Sequence, residues 1–254
     1  MVKVIGSYGG YRKTSAYAFA CLVYHATCAF CRRNYNYQND SLGKTTGQMI
    51  GAARSARQNI VEGSVRAGTS KETELRLYDV AKGSLEELAG DYEAFLLEND
   101  TMPWPDDAPQ AKAVKGLRLD AFEYGSPENV RHDYGKYLLA MRQRFAPWLE
   151  AEDAVLAANA NLLVIEQTCR LLHRMMEQIS SAFCQEGGFT ERMSKARLEQ
   201  RSQQIPQQDS PACPICGKPM RKVIARKGRN AGHPFWSCFD YPNCTGSLPC
   251  NDTP

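Results

Sequence analysis

Cys213, Cys216, Cys238 and Cys244 stand as C-P-I-C-G, twenty-one intervening residues, then C-x5-C. Thiolates paired on two knuckles are soft donors that close tetrahedrally around zinc, and such a site folds a short segment that has no large apolar core. Gly217, just past the first pair, suits the tight turn of a knuckle. Four protein ligands leave no open position for water, so the expected Zn2+, one ion per chain, is scaffolding and not a catalyst. Disulfides or free thiols are the competing expectation. Cys250 lies past the fourth ligand and reads as a spare thiol.

Between the ligands, residues 218–236 hold Lys218, Arg221, Lys222, Arg226, Lys227 and Arg229, no acid, and the aromatic pair Phe235 and Trp236, with Tyr241 in the second knuckle. Cations meet phosphates and rings stack on bases, so this mixture predicts a grip on single-stranded DNA or RNA through Lys222, Arg226, Lys227, Phe235, Trp236 and Tyr241. The competing expectation is that the two rings fill a miniature core beneath the metal while the cations form a solvated face; Trp236 is expected to be partly core. The run CPICGKPMRKVIARKGRNAGHPFWSCFDYPNCTG resembles the C-terminal zinc-finger repeat of bacterial type IA topoisomerases. That resemblance implies a small β zinc ribbon holding single-stranded DNA, with the four cysteines as ligands and Phe235, Trp236 and Tyr241 as stacking candidates.

The ribbon, residues 211–254, accounts for a small part of the 254-residue chain. Residues 1–70 carry nine Lys or Arg against two acids, residues 71–191 twelve against twenty-two, and residues 192–254 ten against four. A net charge of only +3 therefore conceals two basic ends, which predicts phosphate-facing surfaces on a soluble protein. Ten cysteines beside a thiolate metal site predict a reduced, cytoplasmic protein. The apolar stretch from Tyr17 to Ala26 contains His25, is too short to span a membrane and continues a helical pattern, so neither a signal peptide nor a membrane partner is expected.

Four long amphipathic patterns precede the ribbon. Tyr17, Cys21, Tyr24, Cys28 and Cys31 recur at helical spacing behind Thr14 and Ser15, with a second strip of Phe19, Val23 and Phe30 that is a candidate subunit contact or, alternatively, the mark of a broadly buried helix. A second helix is predicted from Thr45 to Glu62, stopped by Gly63, and a third begins at a Thr69–Glu72 capping box and ends near Asn99. The fourth stripe runs from Val155 to Phe183 and stops at Gly187 and Gly188. These predict a mainly α fold, an up-down four-helix bundle over residues 1–189, with an insertion at about 101–150 between helices three and four. Short helices are expected near Ala111 to Phe122 and Val130 to Phe145, and residues 190–210 read as a linker.

The second and third helices carry S-A-R-Q-N-I-V-E-G-S-V-R (Ser55 to Arg66), S-K-E (Ser70 to Glu72) and L-Y-D-V-A-K-G-S-L-E-E-L (Leu77 to Leu88). This resembles the bacterial four-helix bundle family of 23S rRNA intervening-sequence proteins, which includes the accessory variability determinant (Avd) proteins of diversity-generating retroelements. The resemblance implies a homo-oligomer, a pentameric ring being one form, whose basic surface engages a reverse transcriptase and nucleic acid; the insertion and ribbon depart from that pattern. Bundles followed by such a ribbon resemble four-helix bundle suffix-domain proteins.

Catalytic motifs are missing from the sequence. None of the four histidines sits in a recognised nucleophile, metal or acid–base spacing. Cys28 and Cys31 form a C-x-x-C inside a helical stripe, which predicts core packing rather than redox work; His25 beside Cys28 leaves a second metal site as the alternative. Glu62 and Glu72 read as capping or buried ion-pair residues. The expectation is a non-enzymatic nucleic-acid-binding accessory protein, with Arg54, Arg57 and Arg66 as further contacts on the bundle. The alternative is a protein-interaction scaffold that recruits a nucleic-acid enzyme through the ribbon.

Overall fold

The computed structural model describes residues 10–123, 128–186, 189–203, 210–225 and 230–250. It divides into two compact units, Met1–Ser194 and Lys195–Pro254. The first is helical, with α1 (Ser15–Asn34), α2 (Lys44–Arg66), α3 (Lys71–Glu98), α4 (Pro109–Gly116), α5 (Val130–Leu149) and α6 (Ala154–Glu186), preceded by a 3-10 turn at Gly10–Lys13. Helix α7 (Phe189–Gln203) crosses the boundary between the units, within the stretch read as a linker. The second unit contains an antiparallel sheet of β1 (Met220–Ile224), β2 (Pro234–Cys238) and β3 (Ser247–Pro249) in that spatial order.

Helices α1, α2, α3 and α6 form the four-helix bundle, α1 and α3 each packing against both α2 and α6. The third-helix stripe is its centre: Tyr78, Ala81, Leu85, Leu88 and Tyr92 are buried, as are Ala158, Leu162, Ile165, Cys169 and Leu172 of α6. The Tyr92 hydroxyl lies 3.0 Å from the Thr27 hydroxyl, which satisfies both polar atoms inside the core. Towards its end α6 is less covered by the described residues, and Phe183 is 42 % exposed. Length explains this, since α1 has 20 residues and α6 has 33, and each residue advances a helix by about 1.5 Å.

Helix starts follow side-chain chemistry. Thr14 caps α1 by accepting from the Tyr17 N–H at 3.3 Å, and Asp153 accepts from the Val155 N–H at 2.9 Å to open α6. For α3 the cap is Ser70, not Thr69: the Ser70 hydroxyl accepts from the Thr73 N–H at 3.1 Å. Glu72 therefore cannot close the expected capping box, and it pairs with Arg76 at 2.9 Å on an exposed face. Glu62 likewise forms an exposed pair, with Arg66 at 3.9 Å, rather than a buried one.

Gly63 does not stop α2, which continues to Arg66. It is buried, and a Cβ there would meet Tyr78 Cε1 at 2.7 Å and the Glu74 carbonyl oxygen at 3.3 Å. The glycine lets α2 and α3 approach. Gly63→Ala gains roughly 1 kcal/mol of helix propensity but overpacks a buried tyrosine at a cost of about 1–3 kcal/mol. A net loss of about 1 kcal/mol is expected, with a larger loss for Gly63→Val. Urea unfolding followed by helical circular dichroism checks both, and an Ala variant more stable than the native chain would overturn the packing account.

The insertion folds onto the bundle, α5 packing on α1 and α6, and α4 on α6. It covers the second strip of α1: Phe19 meets Phe145 edge-on at 5.8 Å, and Phe19, Val23 and Phe30 are at most 2 % exposed within their own chain. Phe30 is held by Tyr92 and Phe95 at 5.0 and 4.8 Å. These three residues are thus unavailable as a subunit contact. Helix α4 stops at Gly116, short of the expected end near Phe122, and Phe122 instead packs on Tyr134 at 4.8 Å. Helix α5 runs on past Phe145 to Leu149. Arg142 clamps Glu150 with two hydrogen bonds, and Arg144 does the same to Asp120 at 2.8 Å for each.

Candidate functional site

The second unit is built around its cysteines. Cys213 and Cys216 lie on a turn closed by the Gly217 N–H donating to the Cys213 carbonyl at 2.9 Å, with Gly217 at φ +71°, where a Cβ would be strained. Cys238 ends β2, and Cys244 sits on the next turn, its N–H donating to the Asp240 carbonyl at 3.1 Å. All four sulfurs lie within 4.8 Å of one another, with Cys213 to Cys244 at 3.7 Å and Cys216 to Cys238 at 3.5 Å. A disulfide needs about 2.05 Å. A tetrahedral ion bonded to four sulfurs at about 2.3 Å places them about 3.8 Å apart. The four residues have the spacing to hold one metal ion.

Backbone chemistry prepares these sulfurs. The N–H groups of Cys216 and Ile215 bring the Cys213 thiol down to about 7, and the Asp240 N–H donates to the Cys238 sulfur at 3.4 Å. Burial pushes the Cys238 thiol up to about 12, so that position keeps its proton at neutral pH until a metal cation displaces the proton into solvent. Gly246 is a contributor that sequence reasoning missed. Its carbonyl accepts from the Cys238 N–H at 2.8 Å, and a Cβ on it would collide with the Cys213 sulfur. Only a glycine lets the backbone pass the cluster so closely.

Strand pairing sets which side chains share a face. Met220 faces Cys238, Lys222 faces Trp236, and Trp236 faces Leu248. Trp236 and Leu248 pack on the small buried cluster of Cys213, Met220, Cys238 and Cys244. Neighbours along a strand point to opposite faces, so Arg221, Val223, Phe235, Ser237 and Pro249 share the other side. The aromatic pair is therefore divided, with Trp236 contributing to the core and Phe235 lining a groove of about 550 Å³ with Asn230, His233 and Pro249. Tyr241 is 58 % exposed. Lys222 is exposed, Arg221 lies 5.8 Å from the Phe239 ring, and Lys218 pairs with Asp240 at 2.8 Å. Arg226 and Lys227 lie outside the described residues.

On the bundle, Arg54 is exposed, Arg57 lies over the Tyr24 ring at 4.3 Å, and Arg66 holds its loose pair with Glu62. Cys31 is buried, its thiol 3.8 Å from the Met49 sulfur and pushed up to about 12 by burial, as core packing requires. Burial also lowers the His25 pKa. Among the described residues the four ribbon cysteines are the one group of three or more His, Cys, Asp or Glu side chains gathered closely enough for a metal, so His25 and Cys28 do not make a second such site.

Comparison with protein-family models, with characterised proteins and with solved structures finds no match for this chain. Among the described residues no helix is long and apolar enough to cross a membrane. The functional reading accordingly stands on the ribbon's own chemistry.

Proposed function

We propose that this protein is a cytoplasmic, non-enzymatic accessory protein whose ribbon binds single-stranded DNA or RNA around one structural zinc ion, while its helical bundle self-associates. The observation that carries the reading is the four-cysteine cluster beneath a sheet whose surfaces present Arg221, Lys222 and Phe235, with the exposed Tyr241 ring on the knuckle beside it. Four cysteine ligands favour zinc among the common ions and leave no site for a reacting water. Cations and aromatic rings on one small module suit a sequence-tolerant grip on a strand. Self-association draws on the resemblance to ring-forming bundles; exposed Leu42, Leu97 and Met102 are apolar positions outside the bundle core that it could cover.

A second reading, recruitment of a nucleic-acid enzyme such as a reverse transcriptase through protein contact, draws on Ile215 and Ile224, each 67 % exposed on the ribbon. Salt separates the two. Binding of the full chain to labelled single-stranded DNA and RNA should weaken steeply as salt rises, because neutralising phosphates releases counterions. If neither strand binds at moderate salt, the nucleic-acid reading fails and protein contact replaces it. Light scattering on the full chain tests self-association, and a monomer at every concentration rules it out.

A further inference from the structure

We infer that the bundle carries a nucleotide slot of its own, between the 3-10 turn and α2, that takes an aromatic base together with its phosphate. A groove of about 570 Å³ is lined by Tyr11 and Tyr17 on one side, and by Arg57, Gln58, Val61, Glu62, Val65 and Arg66 on the other. The α2 residues recur at steps of one and three, so they form a single helix face. The turn that brings Tyr11 packs on both α1 and α2, and its Tyr11 carbonyl accepts from the Thr14 N–H at 3.0 Å and from the Thr14 hydroxyl at 2.7 Å.

The rings are fixed before any ligand arrives. Tyr11 meets Tyr17 edge-on at 4.7 Å, and Tyr17 stacks on Tyr134 at 5.7 Å with 22° between planes. A base settling on such rings orders little side chain, which keeps the entropic cost of binding low. Arg57 and Arg66 line the groove with these rings, and Arg12 adjoins Tyr11. Arg12 lies over Tyr11 at 4.6 Å, Arg57 over Tyr24 at 4.3 Å, and Arg66 makes an exposed pair with Glu62. Against one carboxylate, Glu62, they leave the slot cationic. The Gln58 amide supplies both a donor and an acceptor for a base edge. Two aromatic rings, apolar walls at Val61 and Val65, one amide and two guanidinium groups suit a nucleoside monophosphate, whether free or at the end of a strand.

The proposal deepens the nucleic-acid reading and rests on it for the class of ligand, but it uses no residue of the ribbon. Calorimetry on the full chain with AMP, adenosine and inorganic phosphate tests it. AMP should bind at least about ten-fold tighter than either fragment, since base stacking alone changes affinity roughly five- to a hundred-fold. Tyr11→Leu, which keeps apolar bulk but removes the ring, and Arg57→Gln should each weaken AMP by about five-fold or more without changing the helical signal. Phe235→Ala should leave AMP binding unchanged. If a short 5′-phosphorylated single strand displaces AMP, the slot holds strand ends; if AMP binds and the strand does not compete, it holds free nucleotides, and both results support the slot. AMP binding lost in Phe235→Ala but kept in Tyr11→Leu and Arg57→Gln would place the nucleotide on the ribbon, overturning the slot while leaving the ribbon reading intact. No AMP binding at millimolar concentration, or binding indifferent to Tyr11 and Arg57, overturns it outright.

Discussion

A Cys238→Ser chain is expected to carry no zinc and to lose the sheet of residues 211–248, while the helical signal of the bundle stays nearly intact. The ribbon's buried cluster is only Cys213, Met220, Cys238 and Cys244, with Trp236 and Leu248 packed on it. So few apolar side chains cannot offset the conformational entropy of ordering about forty residues. A structural thiolate site contributes roughly 10–16 kcal/mol, and in small modules that binding energy is the folding energy. The bundle has a separate core, so it does not depend on the ion. Gly246→Ala should reach nearly the same state by another route, since all four ligands remain but the new methyl group occupies the place of the Cys213 sulfur. Elemental analysis and hydrogen exchange on peptides from 211–248 measure both effects. One zinc per chain retained in Cys238→Ser, or collapse of the helical signal with it, would refute the account.

The contrast between Cys238 and Gly246 shows what a sequence discloses. The clustered cysteines announce themselves because few other constraints set thiols at such paired spacings. Gly246 serves the same cluster, yet its reason is a backbone that passes beside the sulfur of Cys213, far earlier in the chain, and no local pattern records that. Gly63 makes the same point in the bundle. A glycine that ends a helix and a glycine that admits a neighbouring tyrosine are written with the same letter, and only Tyr78 on α3 distinguishes them. Helical stripes were legible because burial repeats along them: Tyr78 to Tyr92 and Ala158 to Leu172 are buried as their spacing predicts. What covers a stripe was not legible. Phe19, Val23 and Phe30 had to face something apolar, and α5 of the insertion meets that need together with α3, a pairing set by tertiary packing rather than by any residue near α1.

Phe235→Ala and Trp236→Ala should part company, although the residues are neighbours. Strand alternation puts Phe235 on the face of Arg221 and Val223, whereas Trp236 packs on the cysteine cluster. Removing Phe235 should leave one zinc per chain and weaken single-strand binding by roughly five-fold to a hundred-fold, the value of one stacked base. Removing Trp236, which is half-buried against the cysteine cluster, strips apolar cover from that cluster at a cost of part of the about 3–5 kcal/mol that a fully buried Trp carries, a large loss for so small a module. Strand binding should then fall together with zinc retention. Replacing Arg226 and Lys227 by Ala probes the remaining physics: affinity should drop mainly at low salt, and the slope of log affinity against log salt should flatten by about 0.7 for each phosphate that is no longer neutralised. Titrations with labelled single-stranded DNA and RNA at several salt concentrations, paired with zinc analysis of each variant, separate stacking, folding and charge. Should Phe235→Ala bind as the native chain does while Trp236→Ala keeps its zinc and loses the strand, the ribbon grips through its metal-side face, and Lys222, directly across from Trp236, becomes the cation to test next.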